Sequence, residues 1–331
     1  KWYFDGRRLH LFHDIERSES FGDFRNMTSY LTFGTAIENL RLKSQALGYA
    51  MIEQYFPTDE ETLHVGVFGF KRVPPERNRL LDFIDVRVTN RHLGDGRAME
   101  PAILSKLHQA VQDIPDIQLK FIDDRTKLQE LAEIAGKAEK LRLFIPQGHY
   151  ELFEKEIRWT PEDAERTKDG LDIRSLELNA KDSIGFRVSR DRAALQLLSG
   201  WGKGRAIENM TRKLVATASA VGLFTAGSIN PQDCLAVGQA MQRLWLTASG
   251  QQVSIQPILA PVLHFARLHG GMGHTMPPHV EKQFRQLSVD FHSIFSIDER
   301  TEVPLFFFRM FYGEQPSVRA LRLPIEDVLI Y

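Results

Sequence analysis

The sequence predicts an α+β fold built from two unequal copies of one unit, related by approximate twofold symmetry. Three observations predict it. Segments whose apolar residues recur at helical spacing alternate along the chain with short extended runs. Gly34-Thr35-Ala36-Ile37, with Leu40, Leu42 and Ser44, matches Gly238-Gln239-Ala240-Met241, with Leu244, Leu246 and Ala248. Each of these segments is followed by a short apolar strand and a proline, Pro57 or Pro257. Two core helices can share an amphipathic pattern by chance, but small residues at matched places mark close helix approach rather than amphipathicity alone. The third observation is Val303 to Phe311, nearly all apolar and therefore expected as a central strand covered on both faces.

The elements follow in order. Residues 1–15 read as an edge hairpin turning at Asp5-Gly6. Phe33, Ile37, Leu40, Ser44 and Leu47 lie on one face of a helix over 33–48, with Gly48 as its C-cap. Met51 to Phe56 and Leu63 to Phe70 read as paired strands, and the Arg- and Pro-rich 71–82 as a connector. A helix begins with Pro101 at its first position, and Ile117, Leu119 and Phe121 alternate as in a strand. Thr126 and Gln129 have capping-box spacing ahead of Leu128, Leu131 and Ile134. Thr160-Pro161 and Asn230-Pro231 each pair an N-cap residue with a first-turn proline, and Asp163 and Asp233 sit near the positive helix ends. The repeat places a helix at 235–250 equivalent to that at 33–48. Val280, Phe284, Leu287 and Phe291 mark another amphipathic helix.

Composition excludes several classes. The 331 residues suffice for one large domain or two ordinary ones, and 43% hydrophobic content fills a sizeable core. Lys plus Arg (42) nearly cancels Asp plus Glu (43), which gives no support to nucleic-acid or membrane-surface binding. A single cysteine, Cys234, permits no internal disulfide and suits a reducing, cytoplasmic setting. No apolar run reaches the length of a membrane span. The start at Lys1, without methionine, is read as the start of a fragment of a longer polypeptide.

Few side chains offer chemistry of their own. In Arg87-Val88-Thr89-Asn90-Arg91, alternate residues of an extended segment could turn two guanidinium forks and a hydroxyl toward one phosphate. Most such stretches are solvated surface. Arg319 and Arg322 follow the buried strand and could add charge to the same anion. Gly200 to Arg205 fits neither nucleotide-loop pattern and reads as a loop by the site entrance. His264, His269, His274 and His279 recur every five residues, the wrong spacing for one helix face, and lack an acidic or thiol partner; no metal site is expected. Cys234 reads as a small buried hydrophobe. An anion site without an obvious nucleophile or base fits a cofactor enzyme, and equally a binding module.

These motifs, in this order, resemble the nitroreductase superfamily of FMN proteins, most closely its fused Acg-type branch. Arg87 to Arg91 is similar to that branch's R-x-T-N-R flavin-phosphate motif. Glu156-Ile157-Arg158-Trp159 and Asp169-Gly170-Leu171 resemble its midsection, and Gly238 to Leu244 its long central helix. Gln256-Pro257-Ile258 resembles the segment over the flavin ring. Arg309 to Gly313 with Arg322-Leu323-Pro324-Ile325-Glu326-Asp327-Val328 resembles the closing strand and tail. The resemblance spans nearly the whole chain. It implies a truncated first half at 1–84 and a second half at 85–331, with a lid insertion at about 262–300 and one FMN between the halves. It assigns the flavin to Arg87, Thr89, Arg91, Arg322 and, because Leu323 replaces the branch's second arginine, Arg319. The backbone of Pro257, Ile258 and Leu259 would lie along the ring.

The family's P-S-x-x-N-x-Q-P-W loop is absent ahead of the first hairpin, so the resemblance implies an incomplete or empty flavin site when the chain starts at Lys1. Similar modules occur fused behind ThiF/E1-like adenylating domains, which makes such a domain the expected fused or associated partner; homo-oligomers also fit the family. The implied activity is hydride transfer between NAD(P)H and a small-molecule acceptor through flavin N5. The competing readings are a flavin-holding scaffold without turnover and a tailoring oxidase working beside the ThiF/E1-like domain.

Overall fold

A computed structural model describes residues 1–58, 63–200 and 205–331. The chain runs β1 (Trp2–Phe4), β2 (Leu9–Phe12), α1 (Ile15–Ser18), α2 (Met27–Ala46), β3 (Tyr49–Tyr55) and β4 (His64–Arg72). It continues through α3 (Pro101–Gln109), β5 (Ile117–Ile122), α4 (Arg125–Phe144), α5 (Pro146–Tyr150), β6 (Ile157–Arg158), α6 (Pro161–Thr167), β7 (Leu171–Asp172), α7 (Ala180–Ser189), α8 (Arg192–Gly200) and α9 (Ala206–Ala216). The last part is β8 (Ala220–Ala226), α10 (Pro231–Gly250), β9 (Ser254–Pro257), α11 (Ala260–His269), α12 (Pro278–Phe295), β10 (Val303–Phe311) and β11 (Leu329–Ile330). The architecture is α+β. No helix among the described residues is long and apolar enough to cross a membrane.

Two sheets carry the fold, in strand orders β11-β1-β2-β4-β3 and β5-β8-β10-β9. Within them one path occurs twice. β2, α2, β3 and β4 form strand, helix, strand, strand, with the third strand antiparallel between the other two. β8, α10, β9 and β10 repeat the path and the pairing.

The two long helices cross at their matched glycines. A Cβ on Gly34 would collide with Leu235 O and stand 2.9 Å from Gln239 N. A Cβ on Gly238 would collide with Leu31 O and stand 3.0 Å from Gly34 Cα. Leu31 and Leu235 each lie three residues before their glycine, so the contact is reciprocal. The polar contacts are reciprocal too. Arg243 Nε donates to Glu38 Oε1 at 2.5 Å, and Gln242 Nε2 donates to Asn39 Oδ1 at 2.7 Å. Each partner sits four or five residues after its own glycine. Contacts of residue i with j and of j's counterpart with i's are the signature of a twofold interface.

Several sequence expectations change in detail. The first hairpin forms, with Asp5 Oδ1 accepting from the Arg7 and Arg8 amides at 2.8 and 2.6 Å, but it is not at the edge. The tail strand β11 pairs in parallel with β1 and covers it. α2 begins at Met27, not at Phe33. Asp23 accepts from the Thr28 amide at 2.6 Å and the Ser29 amide at 3.1 Å, and Met27, Tyr30 and Leu31 carry the buried face of the helix upstream of Phe33. α4 is capped by Asp124, which accepts from the Lys127 amide at 2.9 Å, so Thr126 lies inside the helix. Thr160 and Asn230 cap α6 and α10 as their prolines suggest. β10 is buried at every position, between β8 and β9.

Candidate functional site

A cavity of about 760 Å³ opens between the two units. The first unit supplies His13, Asp14 and Arg17 around α1, and Thr28, Ser29, Thr32 and Phe33 from the first turns of α2. The facing wall is Thr89, Arg91, the Gln256 to Ala260 segment, and Leu263 and His264 of α11. Glu139, Arg142, Glu156 and Ile157 close the far side. The volume falls within the range of small-molecule and cofactor sites.

The segment carrying Thr89 is held against β9. Thr89 bridges Ile255, and the Asn90 amide donates to Ile255 O at 3.2 Å. The buried Asn90 side chain donates to Ser254 Oγ at 2.9 Å and Glu314 O at 2.7 Å. Thr89 and Arg91 thereby stand beside Gln256 and Pro257. Arg91 reaches Ser175 O at 3.5 Å and forms no ion pair among the described residues. Burial pushes its guanidinium down to about 10, only partly opposed by Glu177.

Arg309, in the middle of β10, is fully buried. It stacks on Phe311 with 3.9 Å to the ring centroid, and its donors reach only neutral oxygens: Gln256 Oε1 at 2.7 Å, Leu214 O at 3.1 Å and His92 O at 2.5 Å. Burial, and then the nearby Arg91 charge, lower its guanidinium to about 9. Two shielded cations beside one cavity, neither paired with a carboxylate, form a field suited to an anion.

The other expected arginines stand apart. Arg87 does not line the cavity; it stacks on Trp245 at 4.5 Å. Burial lowers it to about 10, with a further push from the like charge of Arg322. Arg319 and Arg322 are exposed on the tail, and Arg322 Nη1 donates to Ala320 O and Leu321 O at 3.3 and 3.0 Å. Of the eight expected residues, Thr89, Arg91, Pro257, Ile258 and Leu259 border the cavity.

The far wall was not foreseen from the sequence. Arg142 of α4 binds Glu156 and reaches Glu139 Oε1 at 3.5 Å. Burial raises the Glu139 carboxyl above its ordinary range. Glu151 accepts from Ser20 Oγ at 2.8 Å and from the Phe21 amide, pinning the loop ahead of α2 to the second unit. Arg267 adds a hydrogen bond to Phe21 O and lies 3.9 Å over its ring. His264 is buried, with its Nδ1 2.8 Å from Ala260 O and its ring stacked on Phe284 at 4.4 Å. Burial pushes it down to about 3, so it is neutral, and its Nε2 has no hydrogen-bond partner among the described residues.

Other sequence features fall elsewhere. Glu156, Ile157 and Leu171 of the midsection motifs reach the cavity. Of the segment 262–300 read as a lid, only Leu263 and His264 do so. α12 instead buries Val280, Phe284, Leu287 and Phe291 in the core shared with α4 and α11, because its apolar face is too wide to be left over a cavity mouth. Residues 201–204 of the glycine-rich loop lie outside the described residues. Cys234 is buried, which raises its thiol to about 12 and leaves it protonated.

No family model matches the chain. An uncharacterized protein of Mycobacterium tuberculosis (strain CDC 1551 / Oshkosh) is 27% identical over 299 residues, which are 89% of this chain and 40% of that protein. The chain spans about two fifths of the length of this curated relative. Among solved structures, a nitroreductase with bound FMN from Bacteroides fragilis aligns over 75% of this chain and 95% of its own, at 11% identity and a TM-score of 0.39. An FMN-dependent nitroreductase from Mycobacterium smegmatis in complex with NADPH aligns over 76% and 98%, at 12% identity and a TM-score of 0.42. At such identities and scores these likenesses decide nothing about activity, and the α+β class stands on the chain's own sheets and helices.

Proposed function

We propose that the chain is an FMN-binding oxidoreductase module of the nitroreductase superfamily, with one flavin held between two fused, divergent halves. The observation that carries this reading is the cavity at the junction of the two units, with an anion-seeking wall on one side. Thr89 and Arg91 form that wall, and Arg309 adds positive potential behind it. This donor set fits an anionic, ring-bearing cofactor. Arg91 has donors left over and no ion pair among the described residues, and the Thr89 hydroxyl makes no hydrogen bond among them either. Bound FMN would supply hydride transfer at N5 between NAD(P)H and an acceptor.

The chain's own residues do the rest. Thr89 and Arg91 bind phosphate, with Arg87, Arg319 and Arg322 as a more distant positive group. Pro257, Ile258 and Leu259 offer a rigid apolar edge for the ring, since Ile258 N is bonded to Phe307 O of β10 at 2.8 Å. Phe33 and Leu263 exclude water, and the loop fixed by Glu151 and Arg267 closes the first-unit side.

The test is titration of the protein with FMN and with riboflavin, followed by the flavin absorbance shift and by fluorescence. Saturable binding of FMN, with riboflavin much weaker, is expected once a P-S-x-x-N-x-Q-P-W loop is supplied ahead of Lys1, and weaker binding without it. Equal affinity for both, or none for either with the loop supplied, overturns the reading. Anaerobic bleaching of bound flavin by NADPH or NADH then separates turnover from flavin holding.

A further inference from the structure

Gln256 is an amide whose orientation is fixed by chemistry. Its side chain is only 8% exposed and borders the cavity between Thr89 and Pro257. Arg309 Nε lies 2.7 Å from Gln256 Oε1. A guanidinium can only donate, so the oxygen of the amide must face Arg309 and the NH₂ must face away from it. That NH₂ has no acceptor among the described residues. Arg309 is itself locked by Leu214 O, His92 O and the Phe311 ring, so it cannot turn to release the amide.

We propose that Arg309 is a positioning residue and Gln256 a ligand-binding one: the buried guanidinium turns the Gln256 NH₂ into the cavity, where it joins Arg91 and Thr89 as a third donor to the anionic oxygens of the bound molecule. The proposal rests on the cavity's being a cofactor site and names its specificity: an oxyanion, phosphate in class, is read by one charged and two neutral donors. Arg309 stays out of contact with the ligand. Its charge acts through the amide and through the field.

The substitution Gln256→Met tests the donor role, since it removes the donor without adding charge, and FMN affinity is expected to fall several-fold. If Gln256 were only structural, this variant would keep wild-type FMN affinity. Glutamate keeps the size of the side chain and its bond to Arg309 and gives that buried cation a counter-charge, so the fold is expected to persist with an undiminished melting temperature. It both removes the donor and cancels the Arg309 field, so Gln256→Glu is expected to lower FMN affinity about tenfold or more, further than methionine does.

FMN binding to wild type that is matched by Gln256→Met overturns the inference and leaves the flavin reading standing. If wild type with the loop supplied binds no flavin, the flavin reading fails and the inference is read from inorganic pyrophosphate alone. Pyrophosphate raising the melting temperature of wild type but not of Gln256→Met supports the cradle. The same shift in both proteins, or in neither, removes it.

Discussion

Replacing Gly34 by alanine tests the crossing on which the cavity depends. The new Cβ would stand 2.9 Å from Gln239 N and closer still to Leu235 O, where ordinary contact begins near 3.4 Å. Both neighbours are backbone, so no side chain can rotate aside. α2 and α10 must part by on the order of 1 Å, a gap that forfeits a quarter to a half of each contact across the crossing. Overpacking a close-packed core costs about 1–3 kcal/mol, occasionally more. Alanine returns about 1 kcal/mol of helix propensity. Because the collision is backbone on backbone, the cost lies at the top of that range and the net loss is expected near ~2 kcal/mol, a fall of roughly 3 °C in melting temperature.

Gly238→Ala meets Leu31 in the same way and should cost about as much. Both changes demand the same separation, so the double variant should cost less than their sum, with a coupling of about 1–2 kcal/mol. Gly69→Ala is the control, since a Cβ there meets nothing nearer than Ile52 Cβ at 3.8 Å. Thermal melts of the four variants decide it. Neutral single variants, or strict additivity in the double, would show that the helices do not meet at these glycines.

Three further outcomes are expected. Arg91→Ala should weaken FMN binding by a charge-assisted contact, about 1.5–3 kcal/mol, while Cys234→Ala leaves binding unaltered; equal affinities by titration would remove Arg91 from the site. His264 should make the fold acid-sensitive. Its folded pKa lies below the ordinary 6.5, at about 3, so the unfolded chain takes up the proton first and stability falls as pH drops from 6.5 toward 3. Between pH 7 and 4.5 the loss is up to about 2 kcal/mol, and urea midpoints of His264→Phe should fall less over that interval; parallel pH curves would refute the assignment. Arg267→Met should loosen the Ser20 to Gly22 loop and speed protease cleavage there without abolishing the fold; an unchanged cleavage rate would show that Glu151 holds the loop alone.

Sequence alone exposed the framework more fully than the site, for physical reasons. Apolar periodicity reports burial, so α10, α12 and β10 stood out, and the matched Gly34 and Gly238 announced a close helix crossing. The first turns of α2 keep the helical spacing in Met27, Tyr30 and Leu31, but that Thr28, Ser29 and Thr32 between them face a cavity is a tertiary fact that no local spacing reports. Thr89 and Arg91 were legible as an alternating pair on an extended segment. Arg87 was not separable from them, since its stacking on Trp245 is a contact across 158 positions that no local spacing reports. Nothing in local spacing distinguishes Glu139 and Arg142 from a solvated i,i+3 pair, and only tertiary packing turns them inward. Arg309 was visible as a charge inside an apolar strand, which is the one sequence signal that could have marked it, because a cation is buried there only if oxygens await it.

The twofold relation also explains why the cavity lies on one side of the crossing. The chain segments that leave β3 and β9 are equivalent in this relation but meet different surroundings. After β9, Pro257, Ile258 and Leu259 turn along the cavity wall. After β3, Phe56 packs edge-on to Tyr30 at 5.9 Å, and Tyr55, the last residue of the strand, ties its hydroxyl to Gln239 Nε2 at 2.8 Å. Aromatic rings thus fill the surroundings of the segment after β3, whereas the segment after β9 borders open space. The polar pairs diverge in the same sense. Glu38 with Arg243 carries charge where Gln242 with Asn39 carries none. A filled segment needs only to be cohesive, whereas one that borders a cavity must present unpaired donors to a ligand, and Arg91, Thr89 and Gln256 border the cavity beside the segment after β9. Restoring small side chains at Tyr55 and Phe56 would therefore create a hole without donors, and no second anion site.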